Sequence, residues 1–156
     1  MRGLPSVAVR QVTDLYDHIT ISVSGVGSLY PRLDSRLATM GYLSSKEINE
    51  LRCAGAYGDI VLRYIDSEGA ECASSLAGRT LAISLDQYRR IPLKIVAAAG
   101  KLKAHTLLAV LRGRLVDALV LDAELARATL GLNARLTLHD GTGIQCACRT
   151  GQQHSP

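Results

Sequence analysis

The chain contains no tryptophan and no phenylalanine, two methionines and six tyrosines among its 156 residues. Without aromatic platforms, stacking of single-stranded nucleic-acid bases is not a workable design, and aliphatic side chains must fill almost the whole core. Long hydrophobic runs are missing as well. Nothing approaches the ~20 consecutive apolar residues that span a bilayer, and the amino terminus lacks the charged start and apolar run of a secretory signal. The expectation is a soluble, cytoplasmic chain that makes no membrane contact.

A block of one charge sign is also absent. The 18 basic and 14 acidic side chains give a net charge of +4 and a pI near 9.0, but the bases are scattered among acids, which reads as a solvated surface rather than a nucleic-acid groove. Cysteines are few. Cys53 and Cys72 fall in or beside apolar patterns, where a free thiol behaves as a small hydrophobe, and no disulfide framework is expected. Cys146, Cys148, His139 and His154 offer zinc-ligand chemistry, yet paired structural-zinc cysteines are normally separated by two or more residues and these by one. Neither a metal nor a cofactor is expected.

What is present reads as one domain, long enough to bury roughly two thirds of its unfolded surface. Val7 to Tyr16 recur at helical spacing behind Pro5-Ser6, with Ser6 as cap. Ile19 to Ser24 alternate as a strand, ended by a flexible turn at Gly25-Val26-Gly27-Ser28. Residues 29 to 43 lack periodicity and form a lid-like loop with a single helical turn. Ser44-Ser45-Lys46-Glu47 matches a capping box and opens a helix to about Cys53. Ile60 to Ile65 reads as one strand, Asp66 to Gly69 as a tight turn, Thr80 to Ser84 as another short strand, and Asp86 to Arg90 as a helical turn stopped by Pro92. The last third is βαβ in pattern: an apolar strand from Leu93 to Ala99, a helix with a stripe of Ala104, Leu107, Leu108 and Leu111, a strand from Leu115 to Leu121, and a helix from Ala123 to Leu130 capped by Asp122.

Two turns carry the chemistry. Ala54-Gly55-Ala56-Tyr57-Gly58-Asp59-Ile60 sets a carboxylate at a bare stretch of backbone, suited to sugar hydroxyls. Ala98-Ala99-Gly100-Lys101-Leu102-Lys103 runs from a buried strand into a helix and sets ammonium groups beside helical N–H donors, suited to an anion. Gly25 and Gly27 supply only the first half of a dinucleotide fingerprint, but they fall where a strand of an open α/β sheet ends, the usual ligand edge. No nucleophile elbow and no acid–base carboxylate pair is visible.

These blocks, together with Met40-Gly41-Tyr42-Leu43, Ile83-Ser84-Leu85, Arg90-Ile91-Pro92 and Leu111-Arg112-Gly113, resemble in order and spacing the effector-binding domain of SorC-type sugar-responsive transcriptional regulators, from about Pro5 to Leu130. The resemblance implies an α/β fold with a mostly parallel sheet and helices on both faces, related to ribose-phosphate isomerase and glucosamine-phosphate deaminase, with a phosphosugar at the sheet edge. It implies that Gly25 and Gly27 line the sugar, that Asp59 accepts hydroxyl hydrogen bonds and that Lys103 meets the phosphate, with Arg32 or Arg36 adding a second phosphate contact. Residues 1–131 would be part of such a domain, similar to its second half. Residues 132–156 would be a polar, partly disordered tail, and DNA contact would need a helix-turn-helix module not visible here. Two other readings stand beside this one: a sugar-phosphate isomerase or deaminase with Asp59 as general base, and a partner-binding module whose open edge pairs with another chain. A homo-oligomer is the expected assembly.

Overall fold

The computed structural model describes residues 7–136. In chain order the elements are α1 (Val7–Asp14), β1 (Ile21–Ser24), β2 (Val26–Ser28), α2 (Arg36–Thr39), α3 (Ser45–Cys53), β3 (Gly58–Ile60), β4 (Arg63–Ile65), α4 (Leu85–Arg90), β5 (Leu93–Ala98), α5 (Ala104–Arg112), β6 (Ala118–Leu121) and α6 (Ala123–Leu136). A short 3-10 turn, Lys101–Lys103, leads into α5. Both helix starts with a Ser and a Glu or Gln three residues on, Ser44/Glu47 and Ser84/Gln87, are closed by reciprocal capping boxes.

One sheet is parallel, in the order β1-β5-β6, with Val23 beside Ile95 and Val96 beside Leu119. The α/β class and the parallel β5-α5-β6 unit are therefore as the sequence pattern predicts. Val96 and Ala98 face a core shared with Tyr88, Leu107, Val110 and Leu125, so α4, α5 and α6 cover one face. Among the described residues the other face is open: Ile21 is 59% exposed, Val23 70% and Val120 62%. Lys94 interrupts the apolar run of β5 and is buried, but its ammonium is matched by Asp117 at 2.7 Å and donates to the Ile91 carbonyl at 2.9 Å, which offsets the desolvation of the charge.

A second sheet, antiparallel β2-β3-β4, departs from the sequence reading. Gly25 to Ser28 is not a turn: Val26–Ser28 pairs with β3, Gly27 opposite Asp59. Ile60 to Ile65 is not one strand either. Ile60 pairs with Arg63 across a two-residue hairpin, Val61-Leu62. Thr80 to Ser84 forms no strand; the carbonyls of Ala82 and Ile83 accept from the Arg63 guanidinium at 2.6 and 2.9 Å instead. The loop from 29 to 43 holds a single helical turn, α2, as expected. Around it a smaller core gathers Leu29, Leu43, Leu51, Ala56, Tyr64, Cys72 and Leu76. Cys72 is a buried free thiol, whereas Cys53 is disulfide-bonded, against expectation. Helix α6 runs past Leu130 to Leu136. Ser6, the metal candidates His139, Cys146, Cys148 and His154, and most of the expected tail lie outside the described residues.

The turn Asp66–Gly69 passes so close to the end of α5 that both sides are glycine. A Cβ on Gly113 would meet the Gly69 Cα at 2.8 Å and its carbonyl oxygen at 3.0 Å. Overpacking of this kind costs about 1–3 kcal/mol. Gly113→Ala should therefore lower the melting temperature by several degrees in a calorimetric scan, while Gly78→Ala, which meets nothing within 4 Å, should leave it nearly unchanged.

Candidate functional site

The carboxyl end of β1, strands β2 and β3 with the hairpin after β3, the segment from Asp34 into α2 and Lys103 in the turn after β5 enclose a cleft of about 670 Å³. Open α/β sheets bind ligands at that edge, because strands stop there and loops and helix N-termini begin. All four residues singled out from the sequence line it: Gly25, Gly27, Asp59 and Lys103. Of the two arginines left open in the loop, Arg36 lines the cleft, together with Asp34 and Leu37, and Arg32 does not. Val61 and Leu62 form a further wall.

Asp59 sits in β3 rather than on an exposed turn, and Gly27 opposite it exists for its sake. Any Cβ on Gly27 would collide with the Asp59 carboxylate and press on the Ser35 backbone. Gly27 thus makes room for an acid as much as for a ligand. The carboxylate is largely removed from water, and burial raises its pKa above the usual value, opposed by the Ser35 hydroxyl and by the positive charge of Lys103. Beneath it lies an under-satisfied polar cluster. Ser35 and Tyr64 are buried, and Ser35 Oγ, Asp59 Oδ1 and Tyr64 OH each lack a well-aligned hydrogen-bond partner. Burial pushes the Tyr64 phenol up to about 12. Buried unpartnered polar atoms are rare because each one costs stability, so three together under a cleft point to a site shaped for something other than stability.

Lys103 closes the 3-10 turn that begins after Gly100, whose φ of +90° suits glycine. Asp122 fixes this turn by accepting the Gly100 N–H at 2.8 Å and, with its other oxygen, the Leu125 N–H at 2.7 Å. The cap expected for α6 therefore also anchors the lysine-bearing turn. Outside the residues that line the cleft, Tyr30, Tyr57 and His105 form an aromatic cluster with ring centroids 4.9 to 5.7 Å apart. His105 is half-buried there, and its pKa is lowered by burial.

Residues 4–131 match the model of the family described as "Putative sugar-binding domain". The chain belongs to this family. Relatives of the sugar-binding domain include the transcriptional regulator LsrR of Enterobacter sp. (strain 638), 32% identical over 71% of this chain and 35% of that protein, and the deoxyribonucleoside regulator of Bacillus subtilis, 28% identical over 77% of this chain and 37% of that protein. Among solved structures, a DeoR family transcriptional regulator from Listeria monocytogenes superposes with a TM-score of 0.73 at 27% identity, over 80% of this chain and 49% of that one. The full-length sorbitol operon regulator SorC from Klebsiella pneumoniae superposes with 0.72 at 26%, over 80% and 39%. The chain thus spans about a third to a half of the proteins it matches. The resemblance to SorC-type effector domains holds, and the sugar-binding domain of DeoR/SorC-type regulators is the class to which it is assigned. No described helix is long and apolar enough to cross a membrane.

Sequence reasoning missed Asp34, Ser35, Leu37, Val61 and Leu62, which come from the aperiodic loop and from a hairpin with no turn residues to mark it. For Asp59, a pKa raised in the folded state means that the native protein binds more protons than the unfolded chain, so its contribution to stability is lost as pH rises from about 3.8 through the raised value. Asp59→Asn should accordingly raise the melting temperature relative to the parent at neutral pH, with the difference shrinking as pH falls below the raised Asp59 value, read by thermal denaturation of both proteins across pH.

Proposed function

We propose that the cleft binds a phosphorylated sugar, and that the domain serves as the effector sensor of a cytoplasmic transcriptional regulator that works as a homo-oligomer. The observation that carries this is the meeting of Lys103 and Arg36 with Asp59 and Asp34 around one cleft. Two cations suit a phosphate, which Arg can hold by paired N–H donors and Lys as a point charge. A carboxylate in the same space suits sugar hydroxyls, which donate to it. Gly25 and Gly27 line the sugar, leaving its edge close to bare backbone. DNA contact belongs to a helix-turn-helix module outside this stretch. Ligand binding acts on it by favouring one of two arrangements of the assembly.

The relatives named as regulators favour binding over turnover. An isomerase or deaminase that used Asp59 as a base would need a partner acid poised beside it, and the groups acting on Asp59 are Ser35 and Lys103. The domain is read as a non-enzyme, and neither a metal nor a cofactor enters the proposed mechanism.

Thermal shift with millimolar ribose 5-phosphate, 2-deoxyribose 5-phosphate, glucose 6-phosphate and fructose 6-phosphate tests the reading. At least one should stabilise the protein. Lys103→Ala and Arg36→Ala should each weaken that ligand roughly 10- to 100-fold, the worth of a charge-assisted hydrogen bond. No stabilisation by any member, or unchanged affinity in Lys103→Ala, rejects it, and turnover abolished by Asp59→Asn would favour the enzyme.

A further inference from the structure

The hairpin between β3 and β4 has left-handed backbone at both central residues, Val61 with φ +47° and Leu62 with φ +65°. Two-residue hairpins that need positive φ at both positions ordinarily use Asn-Gly, because a side chain with a branched or bulky Cβ is strained there. Strain of this kind costs stability and persists where the surroundings impose it. For Val61 the surroundings are evident, since it packs against the main core. Leu62 has no such account: it is 42% exposed and stands on the wall of the cleft that holds Asp59 and Lys103.

We infer that Leu62 is a ligand-contacting, specificity-determining residue: its side chain covers a carbon–hydrogen face of the bound sugar, so that the cleft takes phosphate esters of carbohydrates and discriminates against inorganic phosphate and against bare anions. Sugars carry such faces, and an apolar wall opposite a charged one distinguishes the body of the ligand from its phosphate. Leu37 and Val26 lie on the same cleft and extend the apolar surface. The inference rests on the phosphosugar reading above and adds to it the residue that recognises the carbohydrate part.

Three variants separate contact from strain. Leu62→Ala removes the contact and keeps the backbone conformation. Leu62→Gly and Leu62→Asn remove the contact and relax the backbone. Each should weaken the best ligand of the four-member panel about tenfold while leaving the weak affinity for inorganic phosphate unchanged. Leu62→Gly and Leu62→Asn should also melt at or above the parent temperature, which shows that the loss is not one of folding. Sugar-phosphate affinity unchanged in all three variants overturns the inference and leaves the phosphosugar reading standing, and so does an equal loss for inorganic phosphate. If no panel member binds the parent protein, the underlying reading fails and this inference fails with it.

Discussion

The pairing of Gly27 with Asp59 across β2 and β3 is the constraint on which the site depends. It brings a carboxylate into a space that only a residue without a Cβ leaves free. The neighbouring pair repeats the device, since Gly58 lies against the Gly27 carbonyl and the Thr106 side chain of α5, whose hydroxyl donates to the Tyr57 carbonyl at 3.1 Å. Three layers are thereby drawn together: the small antiparallel sheet, the helix behind it, and the lysine-bearing turn at that helix's start. Any widening of this approach would let water in around Asp59 and remove the burial that raises its pKa.

The two sheets divide the work. The parallel sheet is the scaffold: its central strand β5 delivers the Gly100–Lys103 turn, and Asp122 after β6 holds that turn and caps α6 with its two carboxylate oxygens. The antiparallel sheet carries Asp59 and also the irregularities, namely the left-handed hairpin tip and the unpartnered polar atoms of Asp59 and Tyr64. Concentrating costly features on one side of a cleft while the opposite side remains regular is what a binding site requires of a fold with only modest stability to spare.

Elements governed by near neighbours in the chain are legible in the sequence. The capping box at Ser44, the stop before Pro92, the Asp66–Gly69 turn and the β5-α5-β6 unit all follow from hydrogen bonds and periodicities confined to a few residues. Elements that depend on distant partners are not. Val26–Ser28 is glycine-containing and looks like a turn, but β3 pairs with it; Val61-Leu62 looks like strand interior because both residues favour extended backbone; and Thr80–Ser84, β-branched at its start, spends carbonyls on Arg63 rather than on a strand.

By itself the sequence determined the fold class and the parallel unit and singled out Asp59 and Lys103, which line one cleft, because acid, base and glycine punctuation are chemical facts of a residue and its near neighbours. Only the tertiary structure decided that Asp59 is buried opposite Gly27, that Arg36 and not Arg32 reaches the cleft, and that Leu62 stands on its wall. Those outcomes turn on long-range strand pairing and on the competition of many weak contacts for one space, which no local pattern encodes.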